Sequence, residues 1–163
     1  MTMYSIVDIC LLLINVVITI ISAIGAYKSR SYSKKSKIIE EYNNIHLALS
    51  EIDKMLRLLP KAYGYRNEMG VNYELKIKEI GKDLYNSYQS VKASVPVELI
   101  EELNKIEIES QFELLPYINS FINGTVICNN TIDEKGYNTC LRRLMEMQYF
   151  LKTKLDRRRE DLK

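Results

Sequence analysis

The chain has 163 residues, 47% of them hydrophobic and 27% charged, with a net charge of only +2. This balance excludes an intrinsically disordered chain, and so small a net charge excludes a strongly nucleic-acid-seeking one. With 6 Gly, 3 Pro and little alternation of β-branched with polar residues, a sandwich or barrel is disfavoured and helices are expected.

The stretch from Tyr4 to Tyr27, YSIVDICLLLINVVITIISAIGAY, carries a single charge, Asp8. As an α-helix it reaches about 36 Å, enough to cross a hydrocarbon core of roughly 30 Å. Residues 1–28 are therefore expected to form a transmembrane anchor. A cleaved signal peptide is the competing assignment, since Ser22, Ala23, Gly25 and Ala26 offer small residues for a cleavage site. Against it, the segment before the apolar run, MTM, has no basic residue, and the run is longer than a usual signal core. Lys28, Arg30, Lys34, Lys35 and Lys37 follow, with no acidic residue before Glu40. Basic residues beside a span stay on the cytoplasmic side, which predicts a single pass through the cell inner membrane, N-terminus outside and domain in the cytoplasm.

The polar and small residues of the span fall into register. Asp8, Leu12, Asn15, Thr19, Ser22 and Ala26 are spaced 4, 3, 4, 3, 4, which places them on one helical stripe. An Asn amid lipid gains by meeting a polar group across a helix interface, so Asp8, Asn15, Thr19, Ser22 and Ala26 are candidates for self-association into a homo-oligomer, or for lining a polar path. The plainer alternative has Asp8 among the headgroups and the hydroxyls of Thr19 and Ser22 bonded to their own backbone.

Residues 29–37 read as a basic, serine-rich juxtamembrane collar and short flexible joint. Lys28, Arg30, Lys34, Lys35 and Lys37 are its candidate contacts to anionic headgroups. Beyond it, residues 38–163 are expected to form a cytoplasmic all-α domain, an antiparallel up-down bundle of about four helices.

Ile38, Tyr42, Ile45, Leu49, Ile52, Leu56 and Leu59 repeat at 4 and 3, one apolar seam that Pro60 should end. The loop that follows, PKAYGYRNEMG, holds Tyr63, Tyr65 and Arg66, candidates for partner contact as well as ordinary loop residues. A second helix is predicted over 71–93, with Tyr73, Ile77, Ile80, Leu84, Ser87 or Tyr88, and Val91 inward and Gly81 as a weak point and a site of close helix contact. A third, from Glu98 to Glu113, is acidic, with six Glu against one Lys and net −5. Leu99, Leu103 and Ile106 give it a core edge, and its apolar phase then slips to a second face at Ile108, Phe112 and Leu115, so a bend or break is expected near Ser110 and a kink or fresh start at Pro116. After a loop over 123–132, the last helix should start near Asp133, with Tyr137, Leu141, Leu144, Gln148, Leu151 and Leu155 inward. Residues 142–163 hold eight basic and four acidic residues, net +4. That charge either attracts the acidic third helix or lets Arg157, Arg158 and Arg159 project toward a partner or phosphates.

No catalytic pattern emerges: the sequence has no Gly-rich phosphate loop, HExxH or GxSxG motif. His46 is the only histidine, and a half-buried structural position is expected for it. Cys10, Cys128 and Cys140 show no metal-ligand spacing, so no metal, cofactor or small-molecule substrate is expected. The function expected is a non-enzymatic, self-associating scaffold that holds a protein partner at the membrane. A small membrane effector of toxin or defence type, or a signalling relay, are the alternatives.

Overall fold

A computed structural model describes residues 3–64, 73–109, 112–128 and 131–162. Their contacts divide them into two compact units, essentially residues 1–40 and 41–161. The protein is all-α. Its helices are α1 (Met3–Gly64), α2 (Tyr73–Ser94), α3 (Val97–Glu107), α4 (Leu114–Asn123) and α5 (Glu134–Asp161). Two short strand pairs punctuate them: β1 (Ile108–Glu109) with β2 (Phe112–Glu113), and β3 (Ile127–Cys128) with β4 (Thr131–Ile132), both antiparallel.

Two expectations about α1 are corrected. The collar over 29–37 is helical, not a flexible joint. No Gly or Pro stands between Gly25 and Pro60, and Lys and Arg are good helix formers, so no helix breaker interrupts the segment despite its serines. Nor does Pro60 end α1, which continues to Gly64. A proline inside a helix costs about 3 kcal/mol, and here burial of Ala62 and stacking of Tyr63 on Tyr137, ring centroids 4.6 Å apart, offset it.

In the second unit, α1 packs along α5. Glu41 meets Arg158, Asp53 accepts a hydrogen bond from Gln148, and Tyr63 meets Tyr137. One number rises as the other falls, so the two helices run antiparallel. The α1 face in the core is Ile45, Ala48, Leu49, Ile52, Met55, Leu59 and Ala62. On α5 the buried set is Gly136, Cys140, Leu144, Met147 and Leu151, one residue off the predicted seam at Tyr137, Leu141 and Gln148.

Helix α2 buries Ile77, Ile80, Gly81, Leu84, Ser87, Tyr88 and Val91, close to the predicted face. Val95 and Pro96 separate it from α3; Pro96 is extended (φ −53°, ψ 141°), the conformation proline favours before a helix. Helix α3 stops at Glu107, ahead of the bend expected near Ser110, because Ile108 turns extended (φ −110°, ψ 127°) and enters β1. Ile108 is consequently exposed rather than part of a second apolar face. Pro116 lies in the first turn of α4, where its missing N–H breaks no helical bond. Gly124 closes α4 in the left-handed region (φ 75°), a conformation glycine adopts without strain.

Helices α2 and α4 meet at Gly81. A Cβ there would stand 2.8 Å from both the Ile122 backbone nitrogen and Phe121 Cβ. Gly81→Ala would gain about 1 kcal/mol of helix propensity, but backbone atoms cannot yield as a side-chain tip does, and overpacking costs about 1–3 kcal/mol. The expected net result is destabilisation, seen as a fall of several degrees in the thermal midpoint by circular dichroism; an unchanged or higher midpoint would show that the α2–α4 contact is looser than described.

Candidate functional site

The apolar part of α1 is the first candidate. Its best 18-residue window has a mean hydropathy of 2.3, and none of that window is buried by the protein. Leu11, Ile14, Ile18, Ile21 and Ile24 are all more than half exposed. A core helix of a water-soluble domain would be covered; this one is bare. One helix of the described residues is therefore long and apolar enough to cross a membrane, the property shared by membrane anchors and signal sequences.

On that helix Asn15, Thr19, Ser22 and Ala26 share a face by their 4, 3, 4 spacing. The Thr19 hydroxyl donates to the Asn15 backbone oxygen at 2.8 Å, so its donor is satisfied within the helix, as the plainer alternative has it. The Asn15 carboxamide has no partner among the described residues. Asp8 belongs to the same helix, and its side chain lies outside the described set. In the collar, Arg30, Lys34 and Lys37 follow an i, i+4, i+7 pattern on one face, with Lys28 and Lys35 on another; all five are exposed.

The predicted partner-contact residues separate. Tyr63 is half-buried against Tyr137, and Tyr65 and Arg66 lie outside the described residues. Arg158 is folded in, 2.7 Å from Glu41 and 3.4 Å from Asp161, while Arg157 and Arg159 are exposed. A cleft of about 360 Å³ lies beside Arg157. Lys154, Arg157 and Arg158 line it, but so do Glu41, Glu98, Glu160 and Asp161, so it has no excess positive charge with which to attract an anion. Lys154 reaches Glu102 at 3.0 Å, an ion pair of α5 with α3 of the kind their opposite charges suggested.

Sequence reasoning missed one polar cluster. Glu107, 7% exposed, accepts a hydrogen bond from the Tyr88 hydroxyl at 2.9 Å and pairs with Lys92 at 2.9 Å. Lys92 also donates to Asn104. Tyr88 and Lys92 are one turn apart on α2, a detectable spacing, but their partner becomes evident only once α3 has folded back. A second surface it missed is an open apolar groove bordered by Ile106, Leu141, Met145, Tyr149 and Phe150.

His46 is exposed, against the half-buried position expected, because Ile45 takes the core-facing place. Its ring lies 6.4 Å from that of Tyr42. No group of three or more metal-ligating side chains occurs among the described residues. Cys140 is a free, buried thiol, and burial pushes its ionisation far above the usual thiol range, which makes it a poor nucleophile. No protein-family model, curated protein or solved structure matches the chain.

Burial likewise pushes the phenols of Tyr88 and Tyr117 above their usual range, reinforced at Tyr88 by the Glu107 charge and at Tyr117 by Cys140 and Asp133. These groups are neutral when folded and free to ionise when unfolded. Their contribution to stability is whole below the unfolded value and is lost as pH rises toward the folded one. The urea midpoint should therefore be level from pH 7 to 8.5, begin to fall near 9.0, the ordinary thiol value, and steepen past 10.0, the ordinary phenol value. Each group adds about 1.4 kcal/mol per pH unit to the slope. A midpoint constant to pH 11 would contradict the burial of these three side chains.

Proposed function

We propose that the protein is a non-enzymatic, single-pass membrane protein whose helical bundle lies at the cytoplasmic face of the inner membrane. In this proposal it self-associates through its membrane helix and serves as a scaffold for a protein partner. The observation that carries it is the complete exposure of the apolar stretch of α1. Lys28, Arg30, Lys34, Lys35 and Lys37 support the orientation, since basic residues flanking a span are retained in the cytoplasm. They also favour anionic headgroups, at about 1 kcal/mol each near the surface. Asn15, beside Thr19, Ser22 and Ala26, supports self-association, because a carboxamide in lipid is satisfied most readily by a neighbouring helix. Arg157 and Arg159 are the exposed cations offered to a partner.

The same carboxamide supports a second proposal, in which clustered spans let ions through and the protein is a small membrane effector. One experiment addresses both. In liposomes at matched protein density, Asn15→Leu should lower the dimer association constant by roughly fivefold, corresponding to about 1 kcal/mol, measured by energy transfer between labelled chains. Leu13→Ala, on the opposite face, should leave it unchanged. Equal effects of both variants would remove the stripe as the interface. Depolarisation of the vesicles by the unaltered chain, abolished by Asn15→Leu, would favour the effector over the scaffold.

A further inference from the structure

Helix α3 is fastened differently from its neighbours. It has eleven residues and buries only Leu103 and Glu107. Helix α4, with ten, buries Leu114, Ile118 and Phe121. Leu99, Ile100 and Ile106 of α3 reach the core only in part, and Val97 is 80% exposed. Charge fastens α3 alongside these few apolar contacts: Glu107 to Lys92 of α2 at 2.9 Å, Glu107 to the Tyr88 hydroxyl at 2.9 Å, and Glu102 to Lys154 of α5 at 3.0 Å.

Such fastening differs physically from apolar burial. When an apolar side chain leaves the core, water receives it unfavourably. When a buried ion pair opens, both charges recover hydration, and much of the lost attraction is returned. A helix held by pairs therefore opens more easily than one held by an equal number of Leu or Ile contacts. The flanks of α3 are also unobstructed. The charge-lined cleft reaches Pro96, Glu98 and Leu99 at its start, and the apolar groove reaches Ile106 near its end. Its connections are Val95–Pro96 on one side and the two-residue strand β1 on the other.

We propose that α3 is a releasable strap, opening as a unit while the rest of residues 41–161 stays packed. Opening frees the α2 face around Tyr88 and Lys92 and the α5 face around Lys154. The bundle then has two states, and a partner preferring one can shift their populations. The inference stands independently of where α1 lies.

Hydrogen exchange on the full chain in lipid nanodiscs, read by mass spectrometry, tests it. The α3 segment, residues 97–107, should exchange at least about tenfold faster than the α2 segment 77–91. Lys92→Met, which leaves the Glu107 carboxylate with Tyr88 alone, should speed α3 by about tenfold more and leave residues 45–62 and 140–151 unchanged. Glu102→Gln, at an exposed pair, should change α3 by less than about threefold. Protection of α3 equal to that of α2, no response to Lys92→Met, or faster exchange in every helix together would each overturn the proposal.

Discussion

An apolar helix that its own protein leaves bare has to find an apolar solvent elsewhere. Fully burying one Leu, Ile or Val is worth about 1.5–3 kcal/mol, and the stretch around Leu11 to Ile24 presents a succession of such side chains to its surroundings. A helix also satisfies its own backbone hydrogen bonds, which lipid cannot do, so the segment has the form a bilayer requires. The proposed roles of the basic collar and of Asn15 depend on that one mismatch between the helix and water, while the proposed cytoplasmic side comes from the charge of the collar.

The second unit solves a different problem. Its core joins α1, α2, α4 and α5 through side chains such as Ile52, Leu84, Phe121 and Leu144, all fully buried. Phe121 also meets the Tyr117 ring edge-on, centroids 5.4 Å apart, a favoured aromatic geometry. Charge is used at the margins. The acidic α3 and basic α5 meet at the surface through Glu102 and Lys154, so part of the local charge imbalance evident in the sequence is matched between the two helices. Glu107 is the exception, a carboxylate kept inside by a phenol and an ammonium.

Much of this fold was legible because its governing signal is periodic. The 4, 3 spacing of Ile45, Leu49, Ile52 and Leu59 located the α1 core face, and α2 was read nearly as it stands. Small and flexible residues carried too little signal: Ala48, Met55 and Ala62 complete the buried face without standing out in the apolar pattern. On α5 the choice between Gln148 and Met147 depended on Asp53 capturing the glutamine amide, a contact ninety-five positions away in sequence. Pro60 misled because a local penalty was outweighed by tertiary packing at Ala62 and Tyr63. The strand pairs have two residues a side, too short for an alternating pattern to show. At the candidate sites, composition revealed the apolar span and the collar, whereas the Glu107 cluster and the Arg158–Glu41 pair needed helices brought together from distant parts of the chain.

The most direct measurement of the central claim is alkaline carbonate extraction of membranes from cells producing the full chain, followed by intact-mass analysis. The account predicts that the protein stays with the lipid pellet and that its mass includes residues 4–27. Recovery in the aqueous supernatant, or a mature chain beginning near Tyr27, would contradict it.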